Sequence, residues 1–292
     1  MRFAVIGSPV GHSKSPCMHQ AAYRALAMDH TYEAIETREA ELEARVDALR
    51  RGELAGINVT VPHKTRVLSL VDELDVSARA TGAANTLVRL EGGRVRAHNT
   101  DMPAIASELA RVAGGEETLA GKAAVVIGSG GAARAAIVAL AAVLGLERVL
   151  VRGRALGDTA NAIAFVRSMD RVLAEAGGRG AAVALGAEGL ATPMREDADL
   201  AAIVQATSCG MTGGPPGEAA ANAVAWDRVP DGAVALDVVY APPVTPFLER
   251  ARVRGLACDN GLGMLARQGA LAFELWLGVP APFDVMLRAL TS

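Results

Sequence analysis

At 292 residues the chain has the length of one large or two medium domains, and its 51% hydrophobic content is ample for a core. Aromatic residues are only 3%, so that core is built of Ala, Val and Leu, which suits helix-on-sheet packing better than an aromatic-lined binding module. A net charge of −3 with acids and bases intermixed excludes the basic footprint of a nucleic-acid binder.

The N-terminus, MRFAVIGSPV, reads as a strand and a turn with no signal-peptide core. The longest apolar run, Ala135 to Leu146, is too short for a bilayer, which takes about 20 residues. Cys17, Cys209 and Cys258 lie far apart, form no metal pattern and cannot all pair, which points to the reducing cytoplasm. No metal and no membrane are expected.

Phe3 to Ile6 reads as a first strand, broken at Gly7-Ser8-Pro9. Ser15 before Pro16 reads as an N-cap followed by proline at the first helical position, with a helix to about Ala27. Thr31 to Ile35 is a second strand, Ala40 to Arg50 a charged amphipathic helix, and Gly56 to Val61 a third strand. Pro62 cannot donate to a ladder and stops that strand, so Thr60, His63 and Lys64 arrive at one end of a sheet. Taken alone, a lysine after a proline is a solvated surface residue. Short helices follow near Arg66 to Leu70 and Val76 to Ala80. A hairpin then joins Thr86–Arg89 to Val95–His98 through Glu91-Gly92-Gly93-Arg94.

Asn99-Thr100-Asp101 closes this mixed αβ unit, and a helix runs on to about Ala113. Ala123 to Ile127 is a continuous apolar run, suited to a strand buried on both faces. After it come helix Ala132–Leu144, strand Val149–Val151, helix Thr159–Ala176, and strands Ala182–Leu185, Ile203–Val204 and Val234–Val239. Such alternation predicts a parallel sheet with helices on both faces. Met211 to Asn222 reads as a loop, and the tail, Gly263–Leu277 and Phe283–Leu290, as helical.

Gly128-Ser129-Gly130-Gly131-Ala132-Ala133 follows the buried strand and opens a helix, the context that a G-x-G-x-x-A dinucleotide loop requires. The first glycine makes the turn, the second lets backbone approach a pyrophosphate, and the last position needs a small residue for packing. The bland alternative is a glycine-rich turn without a ligand. An NAD site usually places an acid at the end of the next strand. Here that strand ends Val151-Arg152-Gly153-Arg154, while Glu147 lies at its start. Arg152 and Arg154 without an acid suit a 2′-phosphate, because guanidinium binds phosphate through two parallel bonds; the alternative is a pair of solvated arginines. The reading favours NADP over NAD.

Five further stretches are GSPVGHSKSPCMH (Gly7 to His19), NVTVPHK (Asn58 to Lys64), GAANT (Gly82 to Thr86), NTD (Asn99 to Asp101) and NGLGMLARQGALAF (Asn260 to Phe273). With the glycine loop, and in this order, the set resembles the shikimate dehydrogenase family over essentially the whole chain. The resemblance implies a two-domain α/β fold. A substrate domain of residues 1–101 plus 262–292, completed by returning C-terminal helices, accompanies a Rossmann-like NADP domain of residues 102–261, with both ligands in the cleft between them. It implies reversible, NADPH-dependent reduction of 3-dehydroshikimate to shikimate.

The resemblance also implies the roles. Lys64 would supply the proton or stabilise the alkoxide, and a lysine side chain is ordinarily protonated at neutral pH. Asp101 would hold Lys64 and bond a ring hydroxyl; an ordinary salt bridge is the bland alternative. Ser13 and Ser15 would bond the substrate carboxylate, although capping alone accounts for Ser15 if the family is set aside. Thr60, Asn85 and Gln268 would bond the carboxylate or hydroxyls. Tyr240 would touch substrate, or simply pack on Pro242. On the cofactor side the resemblance adds Thr207, Gly261 and Met264 to Gly128, Ser129, Gly130, Gly131, Ala132, Ala133, Arg152 and Arg154.

The chain departs from the family at Val151-Arg152-Gly153, where Asn-Arg-Thr is usual, at Gln205 in place of Asn, and at Met102-Pro103-Ala104 after Asp101. These bear on cofactor affinity rather than on proton chemistry. The rival readings are a quinate or quinate/shikimate dehydrogenase using NAD or NADP, a dehydrogenase of amino-substituted shikimates, and a non-catalytic ligand sensor, which would be expected to lose Lys64 or Asp101. A small-molecule substrate is the implied partner, with the chain a monomer or homodimer.

Overall fold

The computed structural model describes residues 1–176, 183–192 and 198–291. The strands are β1 (Arg2–Gly7), β2 (Thr31–Glu36), β3 (Gly56–Val59), β4 (Glu73–Leu74), β5 (Thr86–Arg89), β6 (Val95–His98), β7 (Ala123–Ile127), β8 (Arg148–Arg152), β9 (Ala184–Glu188), β10 (Leu200–Gln205), β11 (Val234–Asp237) and β12 (Ala257–Asp259). The helices are α1 (Ser15–Ala25), α2 (Leu42–Arg50), α3 (Val76–Thr81), α4 (Asp101–Ala113), α5 (Gly131–Val138), α6 (Thr159–Ala176), α7 (Glu218–Ala221), α8 (Pro246–Val253), α9 (Leu262–Leu277) and α10 (Phe283–Thr291). The chain divides into two compact units, Met1–Ala104 with Leu265–Ser292, and Ile105–Met264.

The first unit holds a six-stranded sheet in the order β2-β1-β3-β5-β6-β4. β1 pairs in parallel with β2 and β3, whereas β5 runs antiparallel to β3 and β6. All four residues of β3 are buried, so the strand that leads to Lys64 is a central one. Edge strand β2 is mostly exposed instead, with Tyr32 its one fully buried residue. Ile57, Val59, Leu87, Ala97 and Leu49 pack into one core. On α9, Trp276 donates its indole N–H to the Leu87 carbonyl at 3.0 Å, which fastens that helix to β5.

The second unit holds a six-stranded, wholly parallel sheet in the order β12-β11-β10-β7-β8-β9. β7 and β10 are buried along their full lengths, in keeping with sequences apolar throughout in β7 and up to the terminal Gln205 in β10. From β7 the chain crosses to β8 on one side, and β10 lies on the other. The C-terminal end of β7 is therefore the switch point of the sheet, where a doubly wound fold opens a crevice for a ligand. Val125, Ile127, Ile203, Ala235 and Phe247 form the core of one face.

Several boundaries differ from the sequence reading. Ser15 is the first residue of α1 rather than its cap: Lys14 stands at the cap position, and the Ser13 hydroxyl oxygen accepts the Ser15 N–H at 3.2 Å. Arg66–Leu70 is a 3-10 helix, and α2 begins only after a 3-10 turn over Glu39–Glu41. The helix after the glycine loop passes into a π-helical stretch at Ala139–Val143. β9 runs Ala184–Glu188, later than expected, and Ala182 lies outside the described residues. The sequence reading omits β4, β12, α7 and α8; the two strands have only two and three residues, too few to show a period.

Candidate active site

In the first unit, β3, the turn before β5 and the start of α4 converge on one ion pair. Lys64 Nζ donates to Asp101 Oδ2 at 2.6 Å, with the lysine side chain 13% and the aspartate side chain 4% exposed. The backbone holds both residues. The Lys64 carbonyl accepts the Ala84 N–H at 2.7 Å, tying the lysine to the turn that carries Asn85. The Asn99 side-chain oxygen accepts the Met102 N–H at 3.0 Å and so caps the helix that Asp101 begins.

Asn85 orients the aspartate. Its amide nitrogen donates to Asp101 Oδ1 at 2.9 Å, Thr100 Oγ1 at 2.9 Å and Gln268 Oε1 at 3.2 Å. Gln268 is itself fixed, donating to the Leu265 carbonyl at 2.9 Å. Four of the predicted residues, Lys64, Asn85, Asp101 and Gln268, therefore form one connected set within the first unit. A carboxylate with one oxygen on an ammonium and the other on an amide has a single orientation. Its lysine is left with two further N–H bonds to offer an oxygen atom.

A second group surrounds Ser15, which is buried. Tyr32 donates its hydroxyl to Asn58 Oδ1 at 2.6 Å, and the Ser15 side chain hydrogen-bonds the Tyr32 oxygen. Asn58 donates onward to the Asn85 carbonyl and to Thr86 Oγ1, both at 3.0 Å, and Thr86 reaches Asn85 Oδ1 at 3.2 Å. Burial pushes the Tyr32 pKa far up, with Tyr23 adding to the shift and the Ser15 bond opposing it, so the phenol stays neutral. His19 stacks on the Tyr32 ring at 4.2 Å and is wholly buried, which pulls its pKa down to about 3. Thr60 is half-buried; its N–H donates to the Ile6 carbonyl at 2.9 Å. His63 is buried with Nε2 2.6 Å from the Thr37 carbonyl, a tether for the Lys64 turn.

In the second unit the glycine loop sits at the switch point. Gly128 has φ +125°, and its missing side chain leaves room for the Ala206 carbonyl and the Thr207 methyl, each 3.0 Å from where a Cβ would stand. At Gly130 a Cβ would meet nothing within 4 Å. The cap of α5 is thus open, and the N–H groups of Gly131, Ala132 and Ala133 have no intrahelical partner. That donor-rich cradle fits a pyrophosphate. Ser129 lies beside it, half-buried. Gly261 abuts the Val238 carbonyl so closely that no side chain fits, and Met264 is buried on α9. Tyr240 is half-buried.

The arginine pair divides. Arg154 is exposed after β8. Arg152 is withdrawn, its side chain 1% exposed with Nη1 3.3 Å from Glu188 Oε1 on β9. Its other terminal nitrogen donates to the carbonyls of Leu190 (3.2 Å) and Thr192. Nε, Nη1 and Glu188 Oε1 have no aligned hydrogen-bond partner, so the pair is a charge contact rather than a directed bond. Burial lowers the Arg152 pKa and Glu188 partly restores it. Two free arginines and no acid, the sequence expectation, therefore becomes one free arginine. The other is spent inside the fold on an acid from the neighbouring strand, which local sequence does not reveal. Sequence reasoning also missed Tyr32 and Asn58. Asn58 opens the NVTVPHK stretch and was open to notice, whereas nothing near Tyr32 marks it.

Among the described residues no cluster of three or more His, Cys, Asp or Glu could hold a metal ion, and no helix is long and apolar enough to cross a membrane. An open glycine cradle at the switch point of a parallel sheet, in a chain that also carries an oriented Lys–Asp pair, defines a Rossmann-type nucleotide-dependent oxidoreductase class. Comparison with known proteins narrows the class. A family model described as the shikimate dehydrogenase substrate binding domain matches residues 5–87, and one described as the shikimate 5'-dehydrogenase C-terminal domain matches residues 261–291. The chain is 38% identical over 288 residues to the shikimate dehydrogenase (NADP(+)) of Methanopyrus kandleri, covering 98% of this chain and 93% of that one. A crystal structure of a shikimate dehydrogenase in complex with NADP+ matches with a TM-score of 0.81 at 29% identity, over 99% of this chain and 94% of the other. The Thermus thermophilus shikimate 5-dehydrogenase in complex with NADP(H) and shikimate matches with a TM-score of 0.79 at 33% identity, over 100% of this chain and 98% of the other. The chain belongs to the shikimate dehydrogenase family.

Proposed function

We propose that this protein is an NADP-dependent shikimate dehydrogenase, catalysing the reversible reduction of 3-dehydroshikimate to shikimate in the chorismate pathway of aromatic amino-acid biosynthesis. The observation that carries the reading is the Lys64–Asp101 pair, 2.6 Å apart, nearly buried and oriented by Asn85, in a chain of this family.

When bound, the reduced nicotinamide supplies a hydride to the ketone carbon. The protein's own task is the oxygen. As the carbonyl bond breaks toward an alkoxide, Lys64 Nζ donates a bond to that oxygen and then its proton; in the oxidation direction the neutral amine takes the proton back. Asp101 holds the ammonium in place and stabilises its charge, and its Asn85-bound oxygen prevents the carboxylate from turning. Its remaining acceptor capacity suits a ring hydroxyl. Ser13 and Ser15 are the donors for the substrate carboxylate. Thr60 and Gln268 serve the hydroxyl groups, Asn85 contributes by exchanging an internal bond for one to substrate, and Tyr240 closes on the ring.

Residues 1–101 with 262–292 make up the substrate domain in this proposal, and residues 102–261 the NADP domain. Gly128, Ser129, Gly130, Gly131, Ala132 and Ala133 hold the pyrophosphate, and Arg154 the 2′-phosphate. Thr207, Gly261 and Met264 line the nicotinamide end. The three free cysteines accord with a cytoplasmic location, and a monomer or homodimer is proposed as the working form; light scattering on the purified protein decides between the two.

The deciding experiment is a grid of initial rates, shikimate and quinate against NADP and NAD, followed by nicotinamide absorbance. Turnover confined to shikimate with NADP is expected. Comparable rates with quinate or NAD would move the chain to the broader quinate/shikimate group. No turnover in any combination would remove the proposal.

A further inference from the structure

One wholly buried carboxylate has no part in this chemistry. Asp237 ends β11, and its Oδ1 accepts the Val239 N–H at 2.9 Å and Gln205 Nε2 at 3.2 Å, while Oδ2 accepts the Thr245 hydroxyl at 2.6 Å. These partners come from β10, from the turn after β11 and from the cap of α8, and none of them is charged or titratable. Gln205 is buried at the end of β10 and carries the network onward. Its Oε1 accepts both the N–H (2.5 Å) and the hydroxyl (2.8 Å) of Thr207, and its Nε2 also reaches the Cys209 carbonyl at 3.1 Å. Thr207 in turn fills the space beside Gly128. On the other side, the Val239 carbonyl accepts the Gly261 N–H at 3.1 Å, and the Val238 carbonyl abuts Gly261. The turns after β7, β10, β11 and β12 thus all connect to one side chain.

We infer that Asp237 is a positioning residue for the dinucleotide: through Gln205 it fixes Thr207 against the glycine loop, and through Val239 it fixes Gly261. It touches no ligand. The inference rests on the NADP reading above.

The chemistry of the network supports it. An apolar residue would fill the same space without the desolvation cost of a buried carboxylate, so the group is retained for what it fixes. Burial pushes its pKa up to about 7, outweighing the Thr245 hydroxyl and the Val239 N–H, which favour the ionised form. The ionised form makes the stronger, charge-assisted bonds. The neutral form must give its proton to Thr245, which then turns from donor to acceptor. The turns are therefore held more firmly above neutrality, and the dinucleotide should bind more tightly there.

Titration calorimetry with NADP+ at pH 6 and pH 8 tests this on the wild type, Asp237→Asn and Asp237→Ala. Asparagine reproduces the neutral form, since its Oδ1 keeps two bonds and its Nδ2 donates to Thr245. Ionisation of the ligand itself is common to all three proteins. The wild type should gain about fivefold more affinity between pH 6 and pH 8 than the asparagine variant does. The alanine variant should bind about tenfold more weakly than wild type at pH 8, with its fold verified by circular dichroism. Asparagine and wild-type profiles that superimpose would overturn the inference while leaving the NADP reading intact. A wild type that binds no NADP+ at either pH would overturn that reading and the inference with it.

Discussion

Arg152 is held 3.3 Å from Glu188, with its guanidinium withdrawn from solvent at the end of β8. Its terminal nitrogen also donates to the carbonyls that follow β9. This arginine ties two neighbouring strand ends together, and Arg154 alone remains free to meet a 2′-phosphate. Arg154→Ser should raise KM for NADP by about 10- to 100-fold, the loss of one or two charge-assisted bonds, and leave KM for NAD nearly unchanged. Arg152→Ser should instead cost about 3 kcal/mol of stability, because it strands Glu188 and several carbonyls. Steady-state kinetics with both nucleotides, together with denaturant unfolding, separate the two. If Arg152→Ser alone abolished the preference for NADP at unchanged stability, the division of roles would be wrong.

Lys64→Ala should lower kcat by about 10²- to 10⁴-fold, the usual contribution of a positioned general acid. Shikimate binding, measured by calorimetry, should change little, since the serines, Asn85 and Gln268 remain. The variant leaves Asp101 buried without its cation, so a lower unfolding temperature is expected as well. The decisive comparison is made below that temperature. Undiminished kcat there would remove Lys64 from the proton step.

What the sequence disclosed follows the range of its signals. β7 and the loop after it were legible because a buried parallel strand and its glycine turn are contiguous, and each has a steric reason. Lys64 and Asp101 were legible as motifs, and as a pair only through the family resemblance, since 37 residues separate them and only the sheet brings them to 2.6 Å. Ser15 was misjudged by one position, because the serines at 13 and 15 both satisfy a cap pattern while the backbone places Lys14, between them, at the cap. Glu188, the partner of Arg152, was out of reach: it lies on the neighbouring strand, and a one-residue change of register would turn it to the opposite face of the sheet. Tyr32 was hidden for the same reason, as the one buried residue of an otherwise exposed or half-buried edge strand whose sequence indicates no hydrogen-bond partner.

Tyr32 provides a sharper test of the substrate end. Its hydroxyl joins Ser15 to Asn58, and its ring stacks on His19. Tyr32→Phe keeps the ring and removes the bridge. Asn58 Oδ1 then loses its 2.6 Å donor inside a buried site, at about 1 to 3 kcal/mol. Ser15 loses the partner that fixes its rotamer. KM for shikimate should rise by about tenfold while kcat falls less than threefold, because the Lys64–Asp101 geometry does not depend on the phenol. Equal losses in kcat and kcat/KM would show that the hydroxyl acts on the transition state instead.

Two buried titrating groups, one in each unit, should give the units opposite responses to pH. Burial lowers the His19 pKa from 6.5 to about 3, so between those values the unfolded chain binds the extra proton and the folded chain does not. The stability of the first unit therefore falls as pH drops from about 6.5 toward 3. Burial raises the Asp237 pKa from 3.8 to about 7, so over that window it is the folded chain that holds the extra proton. The stability of the second unit falls as pH rises from about 4 to 7. Each slope is at most about 1.4 kcal/mol per pH unit. Scanning calorimetry at pH 4.5 and 6.5 on the wild type, His19→Asn and Asp237→Asn isolates each group as a difference from wild type. Relative to wild type, Asp237→Asn should gain more stability at pH 6.5 than at pH 4.5, because asparagine keeps the neutral form's bonds at every pH, whereas His19→Asn should show the reverse trend. Parallel curves for all three proteins would mean that neither group changes its proton on unfolding, and that burial does not set their ionisation.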